Sequence, residues 1–290
     1  MYTVSQIATV IKAKTSGQNI EAGIEHILLD SRKLLFPATS VFFALNGPRH
    51  NGNLFMAELY DKGVCCFVVD EELSQEEMSK FPKGVFLQVP DVLQALQLFT
   101  AYHRQQFNMP VIGITGSNGK TIVKEWLYQL LQQDYIIIRS PKSYNSQIGV
   151  PLSVWQMNER YTLGIFEAGI SQPDEMQKLA KIINPTIGVF TSIGEAHGEG
   201  FLNVRQKINE KLKKVLFKDK FEIAINKEEN KAIESLIKKY KSSITNETNK
   251  ILAKSPHLNF DDIYLDVLCC FKQAIEYFDK GFEMQLMYFA

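Results

Sequence analysis

The 290-residue sequence has no apolar run near the roughly 20 residues that cross a membrane, and its opening Met-Tyr-Thr-Val-Ser-Gln lacks the basic region and apolar core of a secretory signal. A cytoplasmic protein without a membrane span is expected. It has no excess of charge either, because 32 Lys and Arg balance 32 Asp and Glu. No overall field then draws the chain to nucleic acid or to an anionic membrane, and those partners are set aside. Cysteine is scarce: the four fall as adjacent pairs, Cys65-Cys66 and Cys269-Cys270. That is neither a CxxC metal knuckle nor a disulfide framework, and Cys65-Cys66 lies in the apolar run Val64 to Val69, where free Cys packs as a small hydrophobe. There are no internal repeats.

What is present suffices for two cores: 45% of residues are hydrophobic and 11% aromatic, in a chain long for one domain. An α/β protein is expected, with a small domain over residues 1–107 and a second over 108–290. In the first, short apolar runs predict strands at His26 to Leu29, Val41 to Leu45, Val64 to Val69 and Val85 to Val89, and helical periodicity predicts helices at Val4 to Lys14, Leu54 to Lys62 and Val92 to Phe107. From Pro110 the alternation restarts: strand 111–115, helix 120–132, strands 135–139 and 162–168, helix 174–183, strand 187–191, helix 203–216 and strand 221–225. Such alternation implies a doubly wound, mostly parallel sheet, whose ligands bind at the carboxyl ends of the strands. After Asn226 the composition turns to Lys, Glu, Asn and Ser, a divergent tail of polar helix and loop, with an apolar helix expected from Asp262 to Phe278.

The strongest chemical signal is Gly113-Ile-Thr-Gly-Ser-Asn-Gly-Lys-Thr121, set between the apolar run Met109 to Ile112 and a helix-like stretch. It has the layout of a P-loop. Backbone amides from Thr115, Gly116, Ser117, Asn118 and Gly119 can wrap a polyphosphate, Lys120 can neutralise its outer charge, and the Thr121 hydroxyl can hold magnesium. ATP and Mg2+ are the expected cofactors. The standard spacing wants Gly where this chain has Ile114, which weakens analogies with kinases and GTPases. Two further strand ends offer ligands to the same edge: Glu167, closing the run Thr162 to Phe166, and His197, in Ser192-Ile-Gly-Glu-Ala-His. A carboxylate is an ordinary magnesium ligand and an imidazole a less usual one. A Glu there is also an ordinary helix N-terminal charge, and a His in a glycine-rich loop is often only solvated.

Four stretches taken in order, Ile114 to Thr121, Tyr144-Asn-Ser-Gln-Ile-Gly-Val-Pro-Leu152, Glu167-Ala-Gly-Ile-Ser-Gln-Pro-Asp-Glu-Met176 and Thr191 to Phe201, resemble the Mur ligases, ATP-dependent amide-forming enzymes of peptidoglycan precursor synthesis. Within the family they look most like the members that join D-alanyl-D-alanine to UDP-N-acetylmuramoyl-tripeptide, and Glu-Ala-Gly-Ile-Ser like the form fused to an alanine racemase. Leu29-Asp-Ser-Arg32, Val41 to Gly47 and Arg49-His-Asn-Gly52 are similar to the family's uridine-nucleotide domain. The resemblance makes Ser31, Arg32 and Asn145 substrate residues, though Arg32 alone also reads as a surface charge. It makes Lys120, His197 and Lys211 catalytic, with Thr121, Glu167, His197 and Lys211 at the metal. Lys211 is the position matching a lysine that carries a carbamate in the family; Lys207, Lys213 and Lys214 lie within a turn of it. A carbamate turns an ammonium into the oxygen-donating anion that magnesium prefers.

The resemblance covers residues 1–226 and fades beyond. Nothing in the sequence matches the family's C-terminal domain, so a second expectation stands beside the ligase: a non-catalytic MgATP and UDP-sugar binding module that needs a partner supplying that domain. An unrelated P-loop kinase fits poorly with Ile114, and folate or polyglutamate ligases fit poorly with Asp30-Ser-Arg32 and Asn145 to Pro151.

Overall fold

The computed structural model describes residues 1–47, 50–116, 119–172, 174–191 and 287–288. They fall into two compact units, Met1–Gln106 and Phe107–Ala290.

The first unit is built on a five-stranded sheet in the order Lys14–Ser16, Val85–Gln88, Cys66–Val69, Ser40–Phe43, His26–Leu28. The last four are parallel, and Lys14–Ser16 pairs antiparallel at the edge. Ser40–Phe43 and Cys66–Val69 are buried at every position, as continuous apolar runs in a sheet covered on both faces should be. Phe67 stacks on Phe86 at 5.6 Å between ring centroids inside the cluster of Leu28, Phe42, Leu59 and Val64. Two helices pack together on this unit, Val4–Ile11 and Val92–Gln105. Thr3 and Gln6 form a capping box at the start of the first, and the Asp91 carboxylate accepts from the Gln94 amide at the start of the second.

The expected helix from Val4 to Lys14 stops three residues early. Lys12 turns left-handed at φ 56, and the polar Lys-Thr-Ser that follows becomes the edge strand, which carries no apolar alternation to announce it. The short helix Gln75–Ser79, held by a Ser74–Glu77 capping box, was also not expected.

In the second unit the five strands among the described residues are parallel, ordered Ile137–Arg139, Leu163–Glu167, Val111–Thr115, Ile187–Phe190, Met287–Tyr288. The chain leaves the central Val111–Thr115 to build one side of the sheet, then crosses to build the other. The carboxyl end of Val111–Thr115 is therefore a topological switch point, where such sheets open a crevice. Helix Lys120–Leu131 buries Val123, Trp126 and Leu127, spaced i, i+3, i+4, and Val123 and Leu127 join a cluster that includes Ile112, Ile114, Leu163 and Ile165.

Helix Gly149–Val154 was masked in the sequence by Pro151. Proline is tolerated there because first-turn amides have no intrahelical partner to lose. The two-residue strand Met287–Tyr288 is too short to leave a sequence pattern. The expected helices at 203–216 and Asp262 to Phe278 and the strand at 221–225 lie outside the described residues.

Candidate functional site

Thr115 ends the central strand fully buried, its carbonyl accepting from the Thr191 amide at 2.8 Å and the Thr191 hydroxyl at 3.3 Å. Its own hydroxyl has no hydrogen-bond partner among the described residues. The chain then turns through Gly116 at φ 144 and Gly119 at φ 81, angles that a side chain strongly disfavours. Gly119 is the residue before helix Lys120–Leu131, and no side chain caps the helix there. The Lys120 ammonium reaches back across the loop and donates to the Gly116 carbonyl at 2.9 Å. Ser117 and Asn118, expected in the loop, lie outside the described residues.

Register brings the acid to this loop. Ile114 pairs with Glu167 on the neighbouring parallel strand, so both strands finish at the same edge. The Thr121 hydroxyl donates to Glu167 Oε2 at 3.1 Å, and the Ser143 hydroxyl stands 3.2 Å from Thr121 Oγ1. Three oxygens from three separate segments thus converge beside the glycine loop. Glu167 is fully buried, and its other oxygen, Oε1, pairs with the equally buried Lys124 ammonium at 2.9 Å. Lys124 also donates to the carbonyls of Ser140, at 2.8 Å, and Lys142.

Two turns hold this edge in shape. The Glu167 amide donates to Ser140 Oγ at 3.1 Å and the Gly169 amide to the Asn145 carbonyl at 2.8 Å. A Cβ on Gly169 would stand 2.9 Å from the Asn145 amide group, so only glycine lets the turn after Glu167 approach this closely. Further on, Glu175 Oε2 accepts from the amides of Ser171, at 2.6 Å, and Gln172, at 2.9 Å. Asn145, expected at the substrate, is thus placed against the turn that follows the acid.

In the first unit, Asp30 begins the turn Ser31–Lys33 and chelates Arg32, with Arg32 Nε to Oδ1 and Nη2 to Oδ2 both at 2.8 Å. Those bonds, with a third from the Arg32 amide, hold the Asp30 carboxyl down at about 2. Ser31 is half-buried and Arg32 exposed.

Of the residues expected at the nucleotide edge, the structure brings together Thr115, Gly116, Gly119, Lys120, Thr121 and Glu167; His197 and Lys211 lie outside the described residues. Sequence reasoning missed Lys124 and Ser143. Lys124 did leave a trace: four residues after Lys120, it follows Val123 on the apolar face of the helix, where a solvated lysine has no place.

Residues 114–281 match the Mur ligase middle domain. The chain belongs to the Mur ligase family. Among Mur ligases, it is 31% identical over 277 residues to the UDP-N-acetylmuramoyl-tripeptide–D-alanyl-D-alanine ligase of Borreliella burgdorferi, covering 93% of this chain and 58% of that one. Against the ligase of the same name from Bacillus subtilis it is 32% identical over 196 residues, covering 67% of this chain and 42% of that one. The MurF ligase of Thermotoga maritima, solved in complex with ADP, superposes with a TM-score of 0.58 at 25% identity, covering 67% of this chain and 43% of that one. The UDP-N-acetylmuramoylalanyl-D-glutamyl-2,6-diaminopimelate–D-alanyl-D-alanyl ligase of Acinetobacter baumannii gives 0.64 at 25%, covering 74% and 46%. The chain therefore spans about half the length of the Mur ligases it matches. The names of these relatives give a ligase and no alanine racemase. No helix among the described residues is long and apolar enough to cross a membrane.

Proposed function

We propose that this chain binds MgATP on the Gly113 to Thr121 loop and serves the ATP-dependent joining of D-alanyl-D-alanine to UDP-N-acetylmuramoyl-tripeptide in the cytoplasm. The observation that carries the proposal is the meeting of Thr121 Oγ1 and Glu167 Oε2 at 3.1 Å, from elements 46 residues apart, at the switch point of a parallel sheet. Kinship with ligases named for that reaction supplies the substrate class.

The residues fit magnesium. Two hydroxyls and a carboxylate, all hard oxygen donors, converge beside the loop. Thr121 and Glu167 would hold the ion, with His197 and a carbamylated Lys211 as further ligands. Bound there, magnesium supplies charge neutralisation on the transferring phosphoryl oxygens.

The loop amides and the orphan Thr115 hydroxyl suit phosphate oxygens, and the Lys120 ammonium adds positive charge beside them. The terminal carboxylate of the tripeptide attacks the γ-phosphate, giving ADP and an acyl phosphate. The D-alanyl-D-alanine amine then adds to the acyl carbon, and the tetrahedral intermediate expels phosphate to leave the amide. No protein nucleophile is required; the chain orients the reactants and balances charge. Arg32 and Ser31 are assigned to the uridine nucleotide, with Arg32 exchanging Asp30 for diphosphate, and Asn145 to the peptide substrate.

The test is phosphate release and product mass with the purified chain, MgATP, UDP-muramoyl-tripeptide and D-alanyl-D-alanine. Product from the wild type and none from Lys120→Ala is the expected result. Nucleotide binding without product would overturn turnover by this chain alone and favour a binding module that works with a partner domain.

A further inference from the structure

We infer that Lys124 is the positioning residue of the nucleotide edge: a buried ammonium that fastens Glu167 and the 140–143 turn together, so that the oxygens of Glu167, Thr121 and Ser143 meet in one place. The inference rests on the MgATP reading of this edge and goes beyond it, because that reading gives Lys124 no part.

Lys124 donates to the Ser140 carbonyl at 2.8 Å and to the Lys142 carbonyl, and its ammonium stands 2.9 Å from Glu167 Oε1 as an ion pair without hydrogen-bond geometry at that oxygen. Glu125 Oε1 stands nearby at 3.3 Å. Glu167 lies on a strand and the two carbonyls on the turn after a different strand, so one side chain ties two segments to the helix of the glycine loop. The carboxylate's two oxygens are divided by this arrangement, Oε1 to Lys124 and Oε2 to Thr121. Lys142 turns left-handed at φ 50, a conformation that a side chain disfavours; its own carbonyl accepts from Lys124, and the next residue is Ser143, whose hydroxyl stands near Thr121. A surface lysine would need none of this. Lys124 is 0% exposed, and a lysine is rarely buried so completely unless it is paired.

The alternative role is electrostatic only. A cation 2.9 Å from a metal-ligating carboxylate repels the metal, so its removal would tighten metal binding. Positioning predicts the reverse.

The test compares the wild-type chain with Lys124→Met, Glu167→Gln and the double variant, each checked for a cooperative melt. Two readouts are taken. The first is amide exchange without metal or nucleotide: in Lys124→Met the amides of Glu167 and Gly169, which bond to the 140–145 segment, should speed up at least tenfold more than those of helix Glu175–Ile183, which report the loss of global stability. The second is Mn2+ binding by electron paramagnetic resonance with a non-hydrolysable ATP analogue. Mn2+ affinity should fall about tenfold in Lys124→Met, the size of effect seen when a ligand loses its outer support, with metal-free nucleotide affinity unchanged. In the Glu167→Gln background, Lys124→Met should add nothing to the loss. Exchange that speeds up no more at Glu167 and Gly169 than in that helix, together with equal or tighter Mn2+ binding in Lys124→Met, would overturn the inference. A wild-type chain that binds neither Mn2+ nor nucleotide would instead overturn the MgATP reading, and the amide exchange would still decide the bracing role of Lys124.

Discussion

Each unit carries an acid–base pair near its expected ligand, and the two are opposites in setting. Asp30 and Arg32 meet at 2.8 Å with the Arg32 side chain 86% exposed, whereas Lys124 and Glu167 meet at 2.9 Å with both side chains fully buried. An exposed pair gains little net stability, because water competes for both partners, so its arginine is free to exchange a carboxylate for a diphosphate. A buried pair is different in kind. Its net contribution is small beside its desolvation cost, yet removing one partner strands the other without water. On the proposed function the first pair would open and the second stay closed, with Arg32 a ligand-facing donor and Glu167 a fixed acceptor.

The comparison can be broken most severely at Lys124. Lys124→Met leaves a buried carboxylate unpaired and should lower unfolding free energy by about 3–5 kcal/mol, read from the urea midpoint of the second unit. Adding Glu167→Gln removes the stranded charge and should recover a good part of that loss. Failure of the double variant to recover would mean that the turn carbonyls, not the acid, are the partners that matter.

Gly119→Ala comes next. Its φ of 81 is unfavourable for any side chain, although among the described residues the added methyl would meet only Thr191, at 3.7 Å. A loss of roughly 1–2 kcal/mol from backbone strain alone is expected by the same measurement. A larger loss would mean steric conflict in the loop.

Arg32→Ala should leave the melting temperature of the first unit where it is. UDP affinity by calorimetry should fall about tenfold, the worth of one charge-assisted hydrogen bond. Unchanged UDP affinity would remove Arg32 from the substrate site.

The smallest effect is the pH response of the exposed pair. Arg32 lowers the Asp30 carboxyl from 3.8 to about 2, so its stabilising contribution is complete above pH 3.8 and is lost as pH falls through about 2. Carboxyl NMR titration should show Asp30 returning toward 3.8 in Arg32→Ala. A titration near 3.8 in the wild type would mean that the chelate does not persist in solution.

Much of the second unit was legible because its signals are local. The strand at Val111–Thr115, the loop glycines and the Lys-Thr pair lie within a dozen residues, and the apolar strands Leu163–Glu167 and Ile187–Phe190 are continuous runs with no competing period. Glu167 was found because parallel register carries one strand end to the next. Lys124 was not, because its place on the apolar face points to burial but not to its partners Ser140, Lys142 and Glu167, which only the folded chain brings together. Lys14–Ser16 and Gly149–Val154 were missed for opposite reasons. The first is an edge strand with no apolar face, and the second a helix that begins around a proline.

The central claim is that Thr121 and Glu167 form the metal-dependent nucleotide edge. Isothermal titration of ATP into the wild-type chain and Thr121→Val, with and without Mg2+, tests it directly. The account expects ATP binding that tightens with Mg2+ in the wild type and loses that dependence in the variant, with metal-free binding retained. Equal Mg2+ dependence in both proteins, or no ATP binding by a folded wild-type chain, would contradict it.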